Sequence, residues 1–171
     1  MGIAADLGYT FPRPNLFQRA MQAFAGTRPG AWFFSKALRH LDTAVARLTG
    51  GRTTIAEVMA ALPVIDVTTT GRRSGQPRTS HLISIPHGDT LALIGTNFGQ
   101  ESTPAWVLNL EADPQAHVQF KERGLDVVAR AATDQEITEL IERSREVYGG
   151  YAKYQTRITG RRLRAFILEP A

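Results

Sequence analysis

The chain has 171 residues, of which 43% are hydrophobic and 21% are charged, and it contains no cysteine. These values are typical of a globular protein and exclude a disordered tail or a fibrous repeat. The lack of cysteine excludes disulfides, thiolate nucleophiles and cysteine-ligated zinc or iron–sulfur sites, and we expect a reducing, cytoplasmic compartment. Lys and Arg outnumber Asp and Glu by 20 to 16. This positive charge favours an anionic partner, which on charge alone is a small ligand, an acidic membrane surface or nucleic acid.

Apolar residues recur at helical spacing in the first third of the chain. One helix is predicted to begin at Asn15, a second to span about residues 29–48, and a third to end near Ala61. We therefore treat residues 1–61 as an N-terminal helical arm and residues 62–171 as the domain that follows it. No apolar run reaches the roughly 18 residues of a membrane-spanning helix, and the first residues lack the pattern of a secretion signal.

From residue 62 onward the apolar period changes to two, which is typical of β-strands with one buried face. The six predicted strands are residues 64–70, 78–85, 90–96, 115–121, 125–132 and 162–169. Short helices are predicted at residues 104–111, at residues 134–147 and near Tyr151. Because most strands are linked as hairpins and a closed barrel leaves few exposed edges, we predict an α+β, mainly β, protein built on a six-stranded antiparallel barrel.

Common catalytic and nucleotide-binding motifs are absent from the sequence. No two of the four histidines stand three to five residues apart, and there is no His-Glu-x-x-His motif, so we expect no metal site. The chain also lacks the Gly-x-Ser-x-Gly turn, the Walker A motif and the Gly-x-Gly-x-x-Gly fingerprint. Zinc hydrolases, α/β-hydrolases and the two common nucleotide-binding folds are therefore disfavoured.

The densest chemical signal is a basic turn between the first two predicted strands, with the sequence Gly-Arg-Arg-Ser-Gly-Gln-Pro-Arg at residues 71–78. Its glycines allow a ligand to approach the backbone closely. The planar guanidinium groups of its three arginines match phosphate or carboxylate. Each charge-assisted contact contributes about 1.5–3 kcal/mol, so two or three of them would dominate the binding of an anionic ligand. The alternative is a solvated basic turn with no ligand.

This turn, together with residues 63–70 before it, resembles the signature of the deazaflavin-dependent nitroreductase and quinone reductase family, whose cofactor is coenzyme F420. Further segments resemble that family in the same order along the chain. They are Gly-Thr-Asn-Phe-Gly at residues 95–99, Pro-Ala-Trp-Val-Leu-Asn-Leu at residues 104–110 with Ala-Asp-Pro at residues 112–114, and a C-terminal part with Tyr148, Tyr151, Tyr154 and an arginine-rich last strand. The resemblance covers about residues 62–170.

The resemblance implies a split β-barrel of the FMN-binding type, in agreement with the six strands predicted independently. It also implies a cofactor with an anionic phosphate and oligoglutamate tail, bound by Arg72, Arg73, Ser74, Gly75, Gln76, Pro77 and Arg78. The deazaflavin ring would lie against Thr68, Ile94, Thr96, Pro104, Ala105, Trp106, Asn109 and Tyr151. Asn97 belongs to the same set, although Asn97-Phe98 replaces the Lys-Gly of some relatives. From the residues alone, the alternative for Trp106 is a core anchor, and the alternative for Asn109 is a group that caps or bridges backbone.

By the same resemblance, the protein transfers a hydride from reduced F420 to a quinone, an enone or a nitro compound, and the cofactor supplies the redox chemistry. The reduced acceptor then needs a proton. Tyr148, Tyr151 and Tyr154 are spaced by three residues, and their phenols suit both proton donation and the lining of a quinone pocket. Tyr151 is the preferred catalytic residue. The alternative is that these tyrosines pack a helix against the barrel.

Two other hypotheses stay open at the level of sequence. The protein is an FMN- or haem-binding split barrel, because flavin phosphates also bind arginine, or it is a non-catalytic carrier of F420. Nucleic acid is not expected as a partner, since no aromatic residue stands among the arginines of the basic turn. We expect a monomer or a homodimer.

The arm adds an expectation about membranes. A peripheral contact with the inner face of a membrane would suit its aromatic and basic residues, which are Trp-Phe-Phe at residues 32–34 with Lys36, Arg39 and Arg47. The alternative is that these residues cover the barrel or a second copy of the chain.

Overall fold

The computed structural model describes residues 2–10, 15–33, 62, 64–148 and 150–171. The strands are β1 (Val64–Thr70), β2 (Pro77–His87), β3 (Thr90–Ile94), β4 (Gln115–Phe120), β5 (Arg123–Ala131) and β6 (Ala165–Pro170). The helices are α1 (Ile3–Asp6), α2 (Leu16–Ala25), α3 (Ala105–Ala112), α4 (Asp134–Val147) and α5 (Gly150–Gln155); residues 28–33 are also helical. Several predicted features lie outside the described residues, namely the helix ending near Ala61, most of that over residues 29–48, and Phe34, Lys36, Arg39 and Arg47.

The six strands form a closed antiparallel barrel in the order β1-β2-β3-β6-β5-β4. The predicted fold is thereby confirmed. Pairing of β1 with β4, which sets Thr68 opposite His117, closes the sheet. The last strand of the chain, β6, lies between β3 and β5, so that Ile167 faces Ala92 on one side and Arg130 on the other. Each strand therefore has two hydrogen-bonded neighbours, which removes the exposed edges that invite aggregation.

Alternating residues fill the inside of the barrel. In β4, for example, Ala116, Val118 and Phe120 are buried while the residues between them are exposed. The buried residues of one core cluster include these three together with Trp106 and Phe166. This inner core is continuous from α3 to the opposite end of the barrel, so the barrel interior is filled by protein side chains.

A second core lies outside the barrel. Residues of β2, β3 and β6, such as Ile85 and Ile167, pack there with Leu140 of α4 and the tyrosines around α5. A capping box begins α4, because the Thr133 hydroxyl accepts from the Glu136 N–H at 3.2 Å and the Glu136 carboxylate accepts from the Thr133 N–H at 2.8 Å. The bounds predicted for this helix agree with the structure.

The first helix, α1, was not predicted. Ile3 and Leu7 are each 1% exposed and belong to the inner core of the barrel. The hydroxyl of Tyr9 donates to the carbonyl of Ser84 at 2.9 Å, and the backbone of Ala4 donates to Asp89. Residues 3–9 therefore pack at the end of the barrel where β2 turns into β3. The division of the chain at residues 61 and 62 stays a prediction.

We predict that Leu7→Ala lowers the free energy of unfolding by about 2–5 kcal/mol, because the buried side chain leaves a cavity that its neighbours fill only in part. Denaturation by urea measures the change. The control is Leu16→Ala, since Leu16 is 89% exposed and its truncation should shift stability by no more than about 0.5 kcal/mol. Equal transitions for the two variants would contradict the packing of α1 into the barrel.

Candidate functional site

Antiparallel pairing brings several loops to one end of the barrel. The turn between β1 and β2, the segment after β3 and the segment before β6 all meet there, and α3 packs across it. We call this region the site end, and define it as residues 71–76, residues 95–104, α3 and residues 156–164. Three of the motifs on which the family resemblance rests lie in these segments.

The basic turn is compact and held by its own backbone. The N–H of Gly71 donates to the carbonyl of Gln76 at 2.8 Å, and the N–H groups of Ser74 and Gly75 both donate to the carbonyl of Gly71. A Cβ atom on Gly71 would lie 2.9 Å from the Ser74 hydroxyl and 3.0 Å from the Gln76 carbonyl. A side chain at position 71 would therefore force the turn open, which explains the glycine there.

Asn109 connects the basic turn to α3. This residue is 6% exposed, and its carboxamide oxygen accepts from the N–H of Arg72 at 3.1 Å while its NH2 group donates to the Thr69 hydroxyl at 3.0 Å. Both ends of the carboxamide are thus engaged with protein, in keeping with the bridging alternative. Its predicted contact with a cofactor stays a prediction.

The arginine side chains of the turn face solvent. Arg72, Arg73 and Arg78 are exposed, as are the turn residues Ser74, Gly75, Gln76 and Pro77 between them. Within the described part of the chain, the arginines that form ion pairs are others, namely Arg130, Arg145, Arg162 and Arg164. The turn therefore presents positive charges that no described carboxylate neutralises.

The other predicted cofactor contacts differ in accessibility. Ala105 is exposed, and Thr68, Asn97 and Pro104 are half-buried. Thr68 lies on the outer face of the sheet, where its hydroxyl is 2.8 Å from that of Thr79. The buried members of the set are Ile94, Thr96, Trp106, Asn109 and Tyr151.

Two of these buried residues serve the cores of the protein. The Trp106 ring packs edge to face against Phe166 inside the barrel, with ring centroids 6.0 Å apart, in keeping with the core-anchor alternative. Ile94 faces the second core outside the barrel. Among the predicted cofactor contacts, the exposed ones are therefore the residues of the basic turn and Ala105 at the start of α3.

The segment after β3 has an uncommon backbone. Asn97, Phe98 and Gly99 follow each other with φ values of 46°, 56° and 78°. Left-handed backbone costs about 1–2 kcal/mol for a residue with a side chain, and such strain persists only where surrounding contacts enforce it. The Asn97 side chain supplies one of these contacts by donating to the carbonyl and the hydroxyl of Ser102, each at 3.0 Å.

Arg161 supplies the main contact that holds this segment. Its guanidinium donates to the carbonyls of Gly95 and Thr96, both at 3.0 Å, and to that of Gln100 at 3.2 Å. Burial lowers the pKa of Arg161, and the nearby charge of Arg164 adds to the effect. Arg161 thus fixes both ends of the left-handed stretch from the segment that precedes β6.

The three predicted catalytic tyrosines lie together in the second core. Tyr148 follows α4, whereas Tyr151 and Tyr154 belong to α5, and their exposures are 4%, 5% and 3%. The Tyr148 and Tyr154 hydroxyls are 2.8 Å apart, and Tyr154 also donates to the carbonyl of Ala25. The Tyr151 hydroxyl donates to the carbonyl of Ile83 at 3.2 Å. A Cβ atom on Gly150 would overlap the Tyr148 ring, so this cluster also requires glycine at that position.

Burial raises the pKa of all three phenols. Desolvation is the largest cause in each case, because a phenolate would lose its hydration in the core. Each hydroxyl therefore holds its proton firmly and already contacts another protein group. Their catalytic role stays a prediction, and the packing alternative describes their contacts in this structure.

Comparison with known proteins identifies the family. The model of the F420H(2)-dependent quinone reductase family matches residues 38–170, which is most of the chain. The chain belongs to this family. An F420H(2)-dependent quinone reductase of Mycobacterium tuberculosis is 30% identical over 93 residues, which are 54% of this chain and 62% of that protein. The match thus spans less than two thirds of the length of the curated relatives.

Two solved structures resemble this member of the family over nearly their whole length. One is an F420-H2 dependent reductase, FDR-A, with a TM-score of 0.56, 32% identity, and coverage of 63% of this chain and 94% of its own. The other, described as a domain-swapped dimer, has a TM-score of 0.58, 28% identity, and coverage of 82% and 99%. In the described residues of this chain, no helix has the length and hydrophobicity to cross a bilayer.

The sequence did not point to three residues that the structure makes prominent at the site end. They are Arg161, which holds the strained segment, and Arg157 and Arg28, which line a cavity beside it. The arginine-rich stretch before β6 was a visible signal for the first two. Nothing in the sequence places Arg28 near them, because it precedes Arg157 by more than a hundred residues.

We predict that the tyrosines of the folded protein resist ionisation. All four tyrosines of the chain have a pKa raised by burial, that of Tyr9 to about 12. At a pH of about 10, which equals the ordinary pKa of tyrosine, the folded protein should show almost no tyrosinate absorbance. The chain unfolded in guanidinium should show about half of the maximal tyrosinate absorbance at the same pH. The unfolded chain loses these protons first, so the free energy of unfolding falls as the pH rises above about 10. Equal absorbance of the two forms would contradict the burial.

Proposed function

We propose that the protein is an F420H2-dependent reductase that passes a hydride from the reduced deazaflavin to a quinone, an enone or a nitro compound. The observation that carries the proposal is the basic turn at the site end, with its three exposed arginines that no described carboxylate pairs. The family match over residues 38–170 supports it. Quinones are the first choice of acceptor, because the family and the relatives from M. tuberculosis are named for them.

The residues of the turn fit such a cofactor by their chemistry. Coenzyme F420 carries a phosphate and an oligoglutamate tail, and Arg72, Arg73 and Arg78 offer cations that bind both kinds of anion. Ser74 and Gln76 add neutral donors within the same turn. The open space around Gly75, where a Cβ atom would meet nothing within 4 Å, leaves the backbone accessible.

The start of α3 fits the ring of the cofactor. Pro104 precedes the helix and provides no side-chain cap, so the first N–H groups of α3 lack a side-chain acceptor. These donors suit a ring oxygen or an anion. Asn109, one turn further along α3, keeps the basic turn at a fixed place relative to them. The basic turn and the end of β1 before it are thus joined to α3 by hydrogen bonds of the Asn109 carboxamide.

When bound, the reduced cofactor supplies the hydride, and with it both electrons. The protein orients the two reactants and limits access of water. Tyr151 stays the preferred donor of the proton that completes the reduction. Its hydroxyl contacts the carbonyl of Ile83 in the present structure, so donation requires that it exchange this contact for one with the acceptor.

The assembly and location of the protein complete the proposal. A homodimer is supported by the similarity to a structure described as a domain-swapped dimer. Contact with the inner face of a membrane is supported by exposed apolar side chains on the arm, namely Leu16, Phe17, Phe24, Trp32 and Phe33.

We predict that the purified protein oxidises reduced F420 when a quinone is added, as followed by the return of deazaflavin absorbance. Titration with FMN, haem and F420 in parallel separates the alternatives, and we expect tight binding of F420 alone. Preference for FMN or haem would contradict the proposal. If the protein binds F420 but reduces no quinone, enone or nitro compound, the result would favour the hypothesis of a non-catalytic F420 carrier.

We also predict that Arg72→Ala combined with Arg73→Ala weakens F420 binding at least tenfold, because two charge-assisted contacts are lost. Quenching of deazaflavin fluorescence on titration measures the dissociation constant. The matched control is Arg143→Ala with Arg145→Ala, which removes two exposed charges from α4. Unchanged affinity in the first variant, or equal loss in both, would remove the basic turn from the site.

A further inference from the structure

A cavity opens beside the left-handed segment at the site end. Its volume is about 660 Å³, within the range of small-molecule sites. It lies between the helical residues 28–33 and the segments that follow β3 and α5. The residues that line it include Trp32, Phe98, Arg28, Arg157 and Gln100.

The strained backbone presents one of these rings. Phe98 stands in the middle of the three left-handed residues that Arg161 and Ser102 hold in place. The next residue, Gly99, allows a close approach to Arg157, because a Cβ atom there would lie 3.2 Å from the Arg157 side chain. The Phe98 ring and the Arg157 guanidinium both pack against Tyr154, with the Phe98 and Tyr154 ring centroids 6.1 Å apart, so that Phe98 and Arg157 line the same cavity.

Among the described residues that line the cavity, two are arginines and none is acidic. Arg28 is exposed. Arg157 donates to the carbonyl of Gly26 at 2.6 Å, and its guanidinium carbon lies 5.6 Å from the centre of the Tyr154 ring. Glu101 follows the lining residue Gln100 in the chain; its Oε1 accepts from the N–H and the hydroxyl of Thr159, and its Oε2 accepts from the N–H of Gly160. These hydrogen bonds from the backbone lower the pKa of Glu101 and occupy its carboxylate.

We propose that this cavity binds the electron acceptor, and that the preferred acceptor is a planar aromatic quinone bearing an anionic substituent. Trp32 and Phe98 would contact the ring system, and Arg28 and Arg157 the anionic group. The inference rests on the proposed function, since it names the class of substrate for the same site end. The oligoglutamate tail of the cofactor would satisfy the arginines but has no ring for Trp32 and Phe98.

Direct binding tests the cavity without turnover. The probes are naphthoquinone sulfonate and unsubstituted naphthoquinone, and the signal is quenching of tryptophan fluorescence. The chain has two tryptophans; Trp32 lines the cavity, whereas Trp106 is buried in the barrel. We expect the sulfonate to quench at a lower concentration than the neutral quinone, and Trp32→Phe to remove most of the quenching.

Variants of Arg28 distinguish two anions that could bind the cavity arginines, namely the substituent of the acceptor and the oligoglutamate tail of the cofactor. We expect Arg28→Ala to raise the dissociation constant and the KM for naphthoquinone sulfonate about tenfold, and to leave both values for naphthoquinone within twofold. Arg28→Lys should restore part of the affinity. The control is Arg19→Ala, which removes an exposed charge from α2 away from the cavity walls, and we expect it to change neither constant.

Three outcomes would overturn the assignment. The first is that Arg28→Ala leaves the affinity for the sulfonate unchanged. The second is that it weakens binding of F420 but not of the tail-less deazaflavin phosphate, which would assign the arginines to the cofactor tail. The third is that the quinone quenches the tryptophan fluorescence of the Trp32→Phe variant as much as that of the parent protein. If the binding results hold and reduced F420 is not oxidised, the cavity stands as an aromatic-anion site and the proposed function fails.

Discussion

The insertion of β6 between β3 and β5 is the constraint on which the site end depends. This pairing completes the barrel from the last residues of the chain. It also sets the segment before β6 beside the segment after β3, where the N–H of Gly95 donates to the carbonyl of Arg164 at 2.8 Å. Arg161 then reaches the carbonyls of Gly95 and Thr96. Without this closure, the left-handed residues would lose the contacts from Arg161 and keep only the hydrogen bonds of Asn97 to Ser102 among those described.

Arginine has two different uses in this fold. Arg130 pairs with the carboxylates of Glu136 and Glu169, and the hydrogen bonds to these carboxylates raise the pKa of Arg130. These ion pairs neutralise its charge and join α4 to the barrel. The basic turn is fixed instead by a neutral group, the carboxamide of Asn109, and by its own backbone. Because no described acid compensates the turn, its positive potential stays available to an anion.

Sequence patterns captured the features that depend on local spacing. Alternation along β4 and β5, the capping box of α4 and the glycines of the basic turn were all readable, because each is decided within a few residues. The helix α1 was not, since one turn of helix shows no period and Ile3 and Leu7 are buried only by strands distant in sequence. Likewise, β3 ends at Ile94 and not at Thr96, and β6 begins at Ala165. Just beyond these ends, the carbonyls of Gly95 and Thr96 accept from a side chain, that of Arg161, which the local sequence pattern does not show.

The site was predictable to a similar extent. The basic turn and the start of α3 are short motifs, and the structure places both at one end of the barrel. The cavity could not be predicted from the sequence, because Arg28 and Arg157, which line it together, lie more than a hundred residues apart in the chain. For the buried tyrosines, the spacing predicted a shared helical face. It could not predict the partners of their hydroxyls, which are the carbonyls of Ile83 and Ala25 and another tyrosine.

The position of α1 has a consequence for substitutions at Gly2. Gly2 packs so tightly on Asp89 that a Cβ atom at position 2 would lie 2.1 Å from the Asp89 carbonyl oxygen. The N–H of Ala4 donates to that same carbonyl. Even alanine at position 2 would therefore push the start of α1 away from the turn between β2 and β3, and with it Ile3 and Leu7, which fill that end of the barrel.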